Sequence, residues 1–113
     1  MPLPKAVREE VEPIITEYCA KRVPEHAWRQ VKMGFDVRGD AITLFEERPH
    51  WQNPDHWIKS PIAKFRYDQK IRKWSLFCAD RNSRWHNYQA KPTTNIQVLL
   101  REVDSDPTGI FWG

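Results

Sequence analysis

Arg84, His86 and Tyr88 alternate with Trp85 and Asn87 near the C-terminal third of the chain. In an extended backbone that alternation sets Arg84, His86 and Tyr88 on one face and Trp85 and Asn87 on the other. An arginine offers a bidentate fork to a phosphate or carboxylate, and a histidine adds a titratable donor. The competing explanation is a cross-strand polar ladder, with Arg84 stacked on a Trp or paired to Asp80. Lys64 and Arg66 alternate with Phe65 and Tyr67. If those aromatics point inward, the two cations point outward beside Lys32, with Phe45 and Phe77 as further outward candidates. Basic and aromatic side chains interleaved on an open sheet bind single strands by neutralising phosphates and stacking bases. Asp36 and Glu47 dilute the charge of that face, and no Lys/Arg-Gly-Phe-x-Phe run is present. Burial of the aromatics under a helix or loop is the simpler alternative.

Other groupings carry less. His50, Asp55 and His56 are metal-ligand types, but a site needs three or four converging groups and their spacing matches no standard pattern. Glu46 or Glu47 would have to complete it. Adjacent residues in a strand face opposite ways, so Glu46 and Glu47 are not a shared acid/base pair. Asp104-x-Asp106-x-Thr108-Gly109 imitates the start of a calcium loop, but the glutamate required at its twelfth position is absent. Four glycines leave little room for a phosphate cradle, and no P-loop, Gly-x-Gly-x-x-Gly or Gly-x-Ser-x-Gly occurs. Cys78 between aromatics reads as core rather than as a nucleophile partnered by His86. These patterns call for no metal and no other cofactor.

The elements that must position these residues follow from periodicity. Val7, Val11, Ile14, Ile15, Tyr18 and Cys19 mark one face of a helix between Pro4 and Arg22, closed by Val23-Pro24. Pro13 either kinks this helix or begins it. Val31, Met33, Phe35 and Val37 alternate as a strand, Arg38-Gly39-Asp40 turns it, and Ile42, Leu44 and Phe45 return. The Arg-Gly-Asp triplet is read as that turn and nothing more. Residues 49 to 60 have no period, and their aromatics suggest a loop packed onto the sheet. Strands are expected at about 62–68, 74–79 and 84–89, with Asp80-Arg81-Asn82-Ser83 as a turn. Thr94 to Gln97 fits a capping box ahead of a helix carrying Ile96, Leu99, Leu100 and Val103. Ile110 to Gly113 is an apolar tail expected to dock. The expected fold is α+β: a five-stranded antiparallel sheet with an N-terminal and a C-terminal helix packed on one face.

Length and composition agree with one domain covering residues 1–113, since 113 residues are too few for two and enough to bury one core. The net charge of +3 is a mild basic bias that permits, without requiring, a polyanionic partner. No apolar window is long enough to span a bilayer, and Met1 to Lys5 open no signal-peptide core. Cys19 and Cys78 are then expected as free thiols in the cytoplasm.

Trp74 to Phe77, Asp80 to Tyr88, Asp104 to Asp106 and the terminal Gly109-Ile110-Phe111-Trp112-Gly113, with Leu44 to Pro49 and Ile62 to Tyr67, occur in an order that resembles a family of short bacterial proteins. That family is described only as a domain of unknown function. The resemblance runs from about Val31 to Gly113 and implies a bacterial, self-contained domain; it brings no activity, cofactor or partner.

The sequence favours a small non-catalytic binding module for nucleic acid or a protein partner, with Lys64, Arg66, Arg81, Arg84, Trp85 and His86 as binding residues. Self-association as a homodimer through an open sheet edge ranks second. A small hydrolase or nuclease-like enzyme, using His86 with Asp80 or Glu46, ranks third.

Overall fold

The computed structural model describes residues 2–23, 30–80, 82, 84–88, 91–106 and 109–111. Helix α1 runs Lys5–Arg22 without interruption, so Pro13 lies inside it rather than at its start. Val11, Ile15 and Cys19, spaced four apart, form its buried stripe. On the wet side, Lys5–Glu9, Arg8–Glu12 and Glu17–Lys21 pair at the four-residue spacing that brings side chains together on a helix. The Val23 N–H still reaches the Cys19 carbonyl at 3.3 Å, but its backbone is extended and the helix stops there. Pro24 lies outside the described residues.

Five strands follow: β1 Lys32–Arg38, β2 Ala41–Pro49, β3 Trp57–Asp68, β4 Lys73–Ala79 and β5 Trp85–Asn87. They form one antiparallel meander in the order β1-β2-β3-β4-β5. Gly39, at φ 59°, opens the two-residue turn from β1 to β2, where a left-handed residue matches the strand twist. Helix α2, Ile96–Ser105, closes the fold. Its cap is Asn95, whose side chain accepts the Gln97 N–H at 3.0 Å. Thr94 is therefore not the cap, and Thr93 instead accepts the Asn95 N–H through its hydroxyl.

Both helices cover the same side of the sheet. Val11 and Ile15 from α1 and Leu99, Leu100 and Val103 from α2 join Ile42, Leu44, Phe65, Trp74 and Leu76 in one buried cluster. Arg22 donates to the Asp104 carboxylate at 2.8 Å and ties the end of α1 to α2. The Tyr18 hydroxyl also reaches Asp104, and burial together with that carboxylate raises its pKa. Phe111 is buried, so this part of the C-terminal tail docks as expected, whereas Trp112 and Gly113 lie outside the described residues.

Two expectations fail in the middle of the chain. Strand β3 begins at Trp57 rather than Ile62, so the irregular stretch shrinks to residues 50–56. Nor does Trp51 pack onto the sheet: it is 82% exposed and, among the described residues, stacks only on its neighbour His50. Pro61 is accommodated because β4 pairs with β3 only from Ala63 onward, and a register shift at Leu44/Phe45 falls beside it. The last strand is also shorter than expected. It ends at Asn87, although the Tyr88 N–H still donates to Leu76 and Thr93 bridges to Trp74.

Candidate functional site

The sheet face turned away from the helices collects the outward members of each strand. Strand pairing sets Asp36, Thr43, Lys64, Phe77 and Asn87 in one row and Arg38, Ala41, Arg66 and Ser75 in the next. Towards the β2–β3 tip lie Lys32, Glu47 and Lys59, with Gly34 beside Phe45. None of the described helices lies over this face.

Three lysines here sit over aromatic rings. Lys64 Nζ is 5.7 Å from the Trp85 ring centre, Lys32 Nζ is 4.4 Å from Trp57, and Lys59 Nζ is 3.8 Å from Phe45. Each arrangement draws a cation to the electron-rich ring face. Lys59 also pairs with Asp36 at 2.5 Å. Arg66 Nε pairs with Asp40 at 3.3 Å. Beside that pair a recess of about 430 Å³ is lined by Arg66, Asp68, Lys70, Ser75 and Phe77 among others. A face carrying cations beside flat rings can neutralise phosphates and stack bases.

The six sequence-derived candidates divide. Lys64, Arg66 and Trp85 share the helix-free face. His86 pairs with Cys78 and so belongs to the opposite side, at an exposed rim where its Nε2 meets Asp80 Oδ2 at 2.6 Å. Arg84 is exposed immediately before β5, with its N–H donated to Asp80 Oδ1 at 2.9 Å. Arg81 lies outside the described residues. Tyr88, which alternation groups with Arg84 and His86, is half-buried: its hydroxyl donates to Glu102 on α2 at 2.8 Å and its ring packs on Phe111. That contact makes Tyr88 a tie between sheet and helix.

The enzyme alternative keeps one partner and loses the other. Asp80 does orient His86. Glu46 sits on β2, three strands from β5, which is about 14 Å at ordinary strand spacing, and it accepts from Arg48 instead. Cys78 is buried, and burial pushes its thiol pKa up, away from a nucleophilic thiolate. Around the tip, the His50 ring nitrogen Nδ1 accepts the Gln52 and Asn53 N–H groups, which closes the loop. Among the described residues no three of His, Cys, Asp and Glu cluster closely enough to hold a metal ion. No described helix is long and apolar enough to cross a membrane.

Sequence reasoning missed Trp57 and Lys59 as members of this face. Both alternate with Ile58 and Ser60, which was the available signal, but the prolines at 49, 54 and 61 concealed it.

Residues 3–113 match the model of a family described as a domain of unknown function (DUF3024), and the chain belongs to that family. No curated protein and no solved structure matches it.

Proposed function

We propose that this member of the family is a non-catalytic module that binds single-stranded nucleic acid on its helix-free sheet face. The observation that carries the reading is the cluster of Lys64, Arg66, Phe77 and Trp85 on adjacent strands of a face with both helices packed behind it. Lys64 and Arg66 supply phosphate contacts, and Trp85 and Phe77 supply rings for stacking. Lys64 leaves the Trp85 ring when a base takes its place, an exchange of one π contact for another. Arg84, exposed beside the β4–β5 turn, extends the basic rim, and Arg81 and His86 are carried as further binding candidates on their sequence positions. The module acts as a single domain, in the bacterial cytoplasm.

Trp fluorescence titrated with single-stranded RNA and DNA tests this directly. Quenching that weakens steeply with salt, and that is lost in Trp85→Phe, is the expected result. No response at low salt would sink the nucleic-acid reading and turn attention to a protein partner or to self-association. The Asp80–His86 contact favours a second reading, a small hydrolase or nuclease-like enzyme. Cleavage of an oligonucleotide that disappears in His86→Ala while binding persists would establish it in place of the first.

A further inference from the structure

We propose that the recess beside Arg66 is a base-reading subsite that prefers guanine, an inference that rests on the face binding single strands. Arg66 and Asp68 lie two residues apart on one face of β3, about 7 Å along the strand. Ser75 faces Arg66 from β4, and Phe77 forms the wall on the Lys64 side. The recess therefore offers a fork of donors, a carboxylate and a ring within the span of one base.

Arg66 and Asp68 are each held by a neighbour. Asp40 takes the Arg66 Nε at 3.3 Å, which leaves the terminal guanidinium nitrogens to point at a ligand. The Lys70 N–H donates to Asp68 Oδ1 at 2.9 Å and fixes the carboxylate at the β3–β4 turn. Guanine matches this arrangement on two edges. Its O6 and N7 accept from an arginine fork, the commonest base-specific contact, while its N1–H and N2–H₂ give a carboxylate two parallel donors. Cytosine gives the carboxylate its single amino group. Adenine turns a ring acceptor towards it beside its amino group, and thymine or uracil gives one imide N–H flanked by carbonyls that repel it. Phe77 stacks the bound base, and Lys64 next to it receives the adjoining phosphate.

The experiment compares thymine oligonucleotides of equal length that carry one central guanine, adenine, cytosine or thymine, bound to the intact chain and to Asp68→Asn. The guanine oligonucleotide is expected to bind roughly tenfold tighter than the all-thymine one, the scale of one good base contact. In Asp68→Asn that ratio collapses towards one, with an unchanged melting profile as the control for folding. Equal affinities for all four oligonucleotides would overturn the guanine subsite and leave the general binding function standing. A guanine preference that survives Asp68→Asn would overturn it as well, because the reader would be elsewhere. Absence of binding to any of them would overturn both.

Discussion

Asp80 and His86 meet at 2.6 Å across the turn joining β4 to β5, a carboxylate oxygen against the imidazole Nε2. The other Asp80 oxygen accepts the N–H groups of Asn82 and Arg84, and the Asp80 N–H returns to the Arg84 carbonyl. One side chain thus gathers the described residues of the turn. The His86 contact, followed by the Arg84 N–H, holds the Asp80 carboxyl below the usual aspartate range. Such a group stabilises the fold fully above its ordinary unfolded value, and the contribution is lost as pH falls through the depressed folded value. Asp80→Ala is therefore expected to lower the thermal midpoint near neutral pH and to converge with the parent chain in acid. A gap between the two melting curves that stays constant down to strong acid would contradict this.

Salt dependence separates the cations of the sheet face from its rings. Each phosphate neutralised on a single strand contributes about 0.7 to the slope of log affinity against log salt. Replacing Lys64 and Arg66 together with Ala should reduce that slope by about 1.4. Trp85→Ala should instead cost about 1–3 kcal/mol of binding with the slope unchanged, because stacking releases no counterions. Isothermal titration at four salt concentrations distinguishes the two.

Gly34 and Phe45 are fitted to one another. A Cβ at position 34 would stand 2.9 Å from the tip of the Phe45 ring. Gly34→Ala is expected to destabilise the chain by about 1–2 kcal/mol as the ring is pushed aside. The same substitution made on Phe45→Ala should be neutral or stabilising, since glycine in a strand forgoes side-chain packing. A double-mutant cycle in urea measures the coupling; additive effects would mean that the ring moves freely.

Cys19 is buried on α1, and burial pushes its thiol up to about 11. It should resist alkylation near neutral pH for as long as the fold holds and react at once in denaturant. Labelling of the native chain at the rate of a free thiol would show that the helix opens locally.

The regular parts of this fold were legible because burial imposes a period. The α2 stripe of Ile96, Leu99, Leu100 and Val103 is wholly buried, and so are Phe65, Tyr67, Trp74 and Leu76 on β3 and β4. Residues 57–61 escaped because they are strand without burial: their alternation sets no apolar face against a polar one, and Pro61 reads as a break. At the site, alternation correctly separated Trp85 from His86. Which parity would face the helices was not readable, because Trp85 and Tyr88 are both large aromatics. The choice is made by the Tyr88 hydroxyl reaching Glu102 on a helix that forms later in the chain.

In this meander every strand pairs with the one before it, so the sheet can zip up in order through short loop closures. Its greasy side gains nothing lasting from that sequence of events. The helix that comes first and the helix that comes last must both arrive to cover it, and Arg22 meets Asp104 across 82 positions of sequence. Assembly is then progressive along the strands and all-or-none across the layers. A ribosome-bound nascent chain still lacking α2 would present a paired sheet with half its roof missing, a state for a chaperone to shelter until synthesis reaches Ser105.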